Sequence, residues 1–203
     1  MSLADYTAVK ASLGDWLHRS DLTTQIDDAI DLFESDFNAT VRAREMEQIT
    51  TLVATDGYLL HPTNWLGWKE IRGTVGSNKY NLVPVTDEAG VNQTGWQGAS
   101  AYPVGYKVTG SKTYLYPLGS SGSYHVKYWE GVGLSNGTNW LLTRYPAAYL
   151  YGGLLQLTAY VGDDPRIPMW KSAFDECIAK IRADSSKQSF SGQVLQMRPE
   201  RSV

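Results

Sequence analysis

The sequence predicts an α+β fold: a four-helix bundle formed by N- and C-terminal helices, with an inserted antiparallel β subdomain and an extended C-terminal tail. Three observations carry this expectation. Apolar residues recur at spacings of three and four in two stretches before Glu47 and in two more after Asn139. Between those stretches lie short β-type runs separated by Gly, Pro, Asn and Asp, in which no helical period survives. The helical pieces are far apart in the chain and too apolar to leave in water, so one bundle built from both ends is the economical solution. The implied organisation is a discontinuous bundle from 1–46 and 136–185, a β-rich insertion at 47–135, and a tail at 186–203.

The first helix, over about 3–18, places Tyr6, Val9, Leu13, Trp16 and Leu17 on one face, with Ser2 and Asp5 in the positions of an opening cap. Ser20-Asp21 breaks it and caps a second helix, from about Thr23 to Arg44, whose narrow stripe is Ile26, Ile30, Phe33, Phe37 and Val41. Asp27, Asp31 and Glu34 form an acidic row beside that stripe. Its ordinary reading is a solvated helix face, and a functional role is the alternative.

In the insertion, strands are expected around Ile49–Val53, Tyr58–Leu60, Lys69–Arg72 and Tyr80–Val83, followed by an irregular loop over 84–101. Tyr106–Thr109 and Lys112–Tyr116 flank Gly110-Ser111, a two-residue hairpin in which Gly110 supplies the positive φ. Tyr124–Trp129 is expected as the third strand of that sheet.

The most apolar run of the chain starts at Pro146, a residue suited to the first position of a helix. Leu150, Tyr151, Leu154, Leu155, Leu157 and Val161 then fall on all its sides, the mark of a buried central helix. Gly152-Gly153 costs roughly 1 kcal/mol per glycine against alanine, which implies the close approach of another backbone. Trp140, Tyr151, Leu154 and Trp170 are the expected structural core. Asp163-Asp164-Pro165 separates this helix from a last one carrying Met169, Trp170, Phe174, Cys177, Ile178 and Ile181 on one side. The tail holds Gly192 and Pro199 beside a few apolar residues, Phe190, Val194, Leu195 and Met197, together with Arg198 and Arg201.

Chemistry is sparse. The chain has 203 residues and a formal charge of −3, which argues against a protein that works by binding phosphate backbones. The single cysteine excludes a disulfide framework and fits a reducing compartment. No secretory leader or membrane-spanning run is expected. His18, His61 and His125 are scattered, and neither nucleophile motifs nor phosphate-binding loops occur, so no catalytic, metal or cofactor residues are assigned. Thirteen Tyr and seven Trp make the chain aromatic-rich, which weighs toward large contact surfaces. Trp65, Trp68, Trp96 and Trp129 could instead give a stacking platform, the basis of an alternative reading as a glycan-binding accessory module.

The order Trp16-Leu17-His18-Arg19-Ser20-Asp21-Leu22, Arg42-Ala43-Arg44-Glu45-Met46-Glu47, Leu115-Tyr116-Pro117, and above all Asn139-Trp140-Leu141-Leu142 through Pro146 and Tyr149-Leu150-Tyr151-Gly152 to Asp163-Asp164, Arg166 and Trp170, resembles the adaptor (head-to-tail connector) proteins of tailed bacteriophages. The resemblance implies a virion structural protein of the head-tail neck, assembled in the host cytoplasm and without enzymatic activity. Its subunits would form a homo-oligomeric, typically dodecameric ring beneath the portal protein. That ring would extend the channel for passing double-stranded DNA and receive tail, stopper or nozzle proteins. Phe190, Val194, Leu195, Met197, Arg198 and Arg201 become the expected partner-docking residues, and Asp27, Asp31 and Glu34 an expected channel-facing acidic row.

Overall fold

The computed structural model describes residues 3–75, 78–86, 103–116, 121–134, 137–162 and 164–190. Among them the protein is α+β, with six α-helices and eight strands in two sheets. It divides into two compact units, Met1–Glu45 with Gly133–Val203, and Met46–Val132.

In the helical unit, α1 (Tyr6–Leu17) starts at Asp5, whose carboxylate accepts the Ala8 N–H at 2.9 Å; the cap is therefore Asp5 and not Ser2. It buries Val9, Leu13 and Leu17. Helix α2 (Thr23–Thr40) buries Ile26, Ile30, Phe33 and Phe37, and it has no side-chain cap, because Asp21 is held by Arg19 instead. A short helix α3 (Trp140–Arg144) is capped by Asn139 and runs into α4 (Pro146–Gln156), with Pro146 in its first turn.

Helix α4 contacts α1, α2, α3 and α6 (Ile167–Phe190). The central run is not one helix, since the chain turns at Leu157 into a single-turn α5 (Thr158–Val161), where the Thr158 hydroxyl donates to the Leu155 carbonyl. The glycine pair admits side chains rather than a second backbone. A Cβ on Gly152 would fall on the Phe33 ring, and one on Gly153 would come within 3.0 Å of Leu13. Phe33 also meets Tyr149 and Phe174 edge-on, with centroids 5.0 and 6.0 Å apart.

Leu154 and Trp170 are fully buried, whereas Trp140 and Tyr151 lie half-buried at the rim of this core. On α6 the buried stripe is Trp170, Cys177 and Ile181, and Met169 faces solvent. That helix runs to Phe190, so residues 186–190 are helical and not an extended segment.

In the β unit, β1 (Glu47–Ala54), β3 (Trp65–Val75), β4 (Asn78–Asn81) and β8 (Gly122–Glu130) form an antiparallel sheet in the order β1-β8-β3-β4. A second sheet has the order β2-β7-β6-β5 from β2 (Tyr58–Leu60), β5 (Val83–Pro84), β6 (Gly105–Thr109) and β7 (Lys112–Tyr116). The β6–β7 hairpin closes on Gly110 at φ 60 with Thr109 opposite Lys112.

Strand β8 does not join that hairpin. Its alternation buries Tyr124, Val126 and Tyr128, and its length matches β1, with which it makes an unbroken register from Glu47–Trp129 to Ala54–Gly122. The second sheet is mixed, because β5 pairs parallel to β6. A parallel pair needs a long connection, and residues 85–104 supply one. The irregular loop expected over 84–101 lies, from residue 87 on, outside the described residues. Both sheets contribute to one apolar cluster that includes Ala54, Leu59, Ile71, Leu115, Tyr124, Val126 and Tyr128.

Candidate functional site

The helical unit carries the sequence-assigned acidic row, and the fold treats its members differently. Residues four apart on a helix share a face. Tyr6 and Lys10 of α1 therefore close together on Asp27, the hydroxyl donating at 2.5 Å and the ammonium lying 2.6 Å from the carboxylate. These two donors hold the Asp27 carboxyl below its ordinary range. Beside this clasp, the α1–α2 face opens into a groove of about 740 Å³ lined by Lys10, Gly14, Asp15, His18 and Arg19 among others. Asp31 is exposed and makes no hydrogen bond or ion pair among the described residues.

Glu34 is drawn inward. It accepts the Tyr149 hydroxyl at 2.8 Å, and Asn139 donates from Nδ2 to that same hydroxyl at 2.6 Å. The other amide atom of Asn139, Oδ1, caps α3 by accepting the Leu142 N–H at 2.8 Å. Glu34 also accepts a backbone N–H from Leu134. This network of α2, α4 and the α3 cap joins residues more than a hundred positions apart, and single-sequence periodicity carries no signal for it. The row is thus one paired carboxylate, one free one and one half-buried one.

Burial lifts the Glu34 carboxyl above its ordinary range, so the folded protein takes up its proton more readily than the unfolded chain. Glu34 therefore costs stability at high pH, and stability is regained as pH falls through the raised folded value. Asp27 has the opposite sign: its contribution is present above the ordinary carboxylate range and is lost as pH falls through the lowered folded value. Glu34→Gln keeps a carbonyl to accept from Tyr149 and Leu134. It is expected to raise the melting temperature by roughly 1–3 °C near pH ~7 and to give no gain near pH ~4. Melting curves of the two proteins that coincide at both pH values would show that Glu34 carries no such burden.

The end of α6 is tied down. Tyr145 donates to Asp184 at 2.7 Å, the Ser185 hydroxyl accepts the Arg44 N–H at 3.0 Å, and the Gln188 carbonyl accepts from the Arg44 guanidinium at 3.2 Å. Glu45, paired with Arg144, accepts from Gln188 as well. Of the six docking residues assigned from sequence, Phe190 closes α6; Val194, Leu195, Met197, Arg198 and Arg201 lie outside the described residues.

In the β unit Trp65 and Trp68 pack against each other and lie half-buried. His61 stacks on Trp65 at 3.8 Å between centroids, Trp68 lies 5.3 Å from Trp65, and the Trp68 indole N–H donates to Thr113 at 2.7 Å. The Lys69 ammonium covers Trp129 at 5.0 Å, and Trp96 lies outside the described residues. One face of Trp65 is thus taken by His61 and one face of Trp129 by Lys69, while Trp68 is held at its edge by Thr113. Among the described residues no group of three His, Cys, Asp or Glu could hold a metal ion, and no helix is long and apolar enough to cross a membrane.

The arrangement is one of contact surfaces around two cores, and comparison with protein families gives it a context: a model described as SU10 adaptor protein matches residues 4–198. The chain belongs to the SU10 adaptor family. The match runs through both units, including the β insertion, and the family is one of phage head-tail adaptors. As an SU10 adaptor the protein is a structural component of a phage virion that interacts with other head or tail proteins. A search of curated proteins finds no match to the chain.

Proposed function

We propose that this SU10 adaptor forms a homo-oligomeric ring, typically of twelve copies, beneath the portal protein, where it extends the channel for double-stranded DNA and presents a platform to tail, stopper or nozzle proteins. The observation that carries the reading is the family match over residues 4–198, which includes both compact units. In this reading α1, α2, α4 and α6 work as one four-helix core, the β unit faces a neighbour or the tail, and the ring is built in the host cytoplasm before it enters the neck. A ring demands repeated, aromatic-rich contact surfaces and no chemistry, which suits a chain with thirteen Tyr and seven Trp.

The acidic row enters this reading in reduced form. If α2 borders the bore, Asp31 is the carboxylate that would keep DNA phosphates from sticking, because Asp27 is neutralised by Lys10 and Glu34 is engaged with Tyr149. The segment after Phe190 is the proposed docking arm for the portal, with Leu195 and Arg198 as its anchors.

Electron microscopy of the purified protein mixed with portal assemblies tests the ring. A closed ring of density on the tail-facing end of the portal is the expected result. Portal assemblies that carry no added density, or single copies without lateral contact, would overturn it.

A further inference from the structure

We propose that the undocked protein pairs with a second copy of itself through β1, whose open edge adds antiparallel to the same edge of the other copy about a two-fold axis at Thr51. Exposed sheet edges invite pairing with other chains, and proteins protect them with short strands, proline, lysine or bulges. Among the described residues, three of the four edges here carry such protection. β2 has three residues, β5 has two and ends in Pro84, and β4 is a four-residue run of Asn78, Lys79, Tyr80 and Asn81.

Strand β1 carries none. Its eight residues hold no proline, lysine or arginine, and they pair with β8 without a register shift, whereas β3 is bulged twice on the other side of β8. Its outward row is β-branched: Ile49 is 66 % exposed and Val53 69 % exposed, with Thr51 exposed between them.

The occupant follows from the strand's own symmetry. When Thr51 is set opposite Thr51 of the second copy, Ile49 of each copy faces Val53 of the other on the same face of the sheet. Both are favourable cross-strand pairs. The ladder runs from Ile49 to Val53, because the Thr55 backbone is already bonded to Tyr58, and no like charges meet in it; the Glu47 carboxylate is held by Lys69 and Lys127. A slip of one residue would turn the aliphatic row of one copy to the other face, so the pattern disfavours it. A two-fold contact closes on two copies and cannot be the repeating contact of a cyclic ring. The pairing therefore belongs to the free protein and stands independently of the ring reading. One strand pair buries less than the roughly 1,200 Å² of a standard interface, so the expected dimer is weak and concentration-dependent.

Sedimentation of the full-length protein over a wide concentration range, together with four variants, tests this. The parent is expected to pass from monomer to dimer and stop there. Ile49→Lys with Val53→Lys places lysine opposite lysine and is expected to weaken dimerisation at least tenfold. Ile49→Lys with Val53→Glu places lysine opposite glutamate and is expected to keep it. Ile49 and Val53 point to solvent, and Ile49→Lys sets a lysine opposite Lys127 of β8 in both variants, so the two should melt alike and their difference in dimerisation is the readout. Thr51→Cys is expected to give a disulfide-linked dimer on mild oxidation, because directly opposed Cα atoms lie within bridging distance; Thr74→Cys, an exposed position inside the same sheet, is the control and should not. A parent that stays monomeric, association that continues past two copies, equal behaviour of the two charge variants, or no Thr51→Cys link would each overturn the proposal.

Discussion

Leu154→Ala is expected to lower the unfolding free energy by about 2–5 kcal/mol. Leu154 is fully buried on α4, the helix that contacts α1, α2, α3 and α6. Loss of its branched end removes apolar burial and leaves a cavity whose cost depends on how far the surroundings can close. Here closure is hindered. The neighbouring turn is already seated against its partners, with Gly152 under the Phe33 ring and Gly153 under Leu13, so α4 cannot shift toward either helix without a clash. The cost should therefore sit in the upper half of that range. Urea unfolding followed by far-UV circular dichroism gives the measurement, with the half-exposed Tyr160→Ala as a control that should stay within about 0.5 kcal/mol of the parent. A Leu154→Ala midpoint equal to the parent's would mean that this helix is not the centre of the unit.

Local chemistry made the pieces of this fold legible, and long-range partnership was not. The stripes of α1 and α2, the start of α4 at Pro146 and the Gly110 turn all rest on interactions within a few residues, which sequence spacing reports directly. The glycine pair was informative about crowding but silent about its source, because a ring such as Phe33 leaves no local trace in the helix it packs on. Strand β8 was visible as a strand, yet nearness in sequence favoured the hairpin as its neighbour. What decided against that was length and alternation matched to β1, seventy residues away in the chain. The acidic row shows the same limit: Asp27, Asp31 and Glu34 are alike on a helical wheel and differ only because Lys10, Tyr6 and Tyr149 come from other helices. An edge strand is likewise a property of the assembled sheet, so β1 could be read as β-forming but not as open.

Removal of residues 191–203 is expected to abolish co-assembly with the portal while leaving the fold within about 0.5 kcal/mol of the parent. The cut belongs after Phe190 and not at Ser186, because α6 continues through 186–190 and Gln188 bonds both Arg44 and Glu45 there. A deletion from Ser186 would remove those bonds and confuse a folding defect with a docking defect. Beyond Phe190 the sequence offers Val194, Leu195 and Met197 among polar residues, and then Arg198 and Arg201. A segment of this kind contributes affinity through a few anchors, an apolar group entering a groove and an arginine meeting a carboxylate or carbonyl. Leu195→Ala with Arg198→Ala in the full-length chain should therefore weaken binding to portal assemblies at least tenfold without moving the melting curve. The full-length variant separates loss of contacts from loss of chain. Truncated protein that enters particles at the parent's level would leave the helical and β units as the portal-binding surfaces and remove the docking arm from the proposed function.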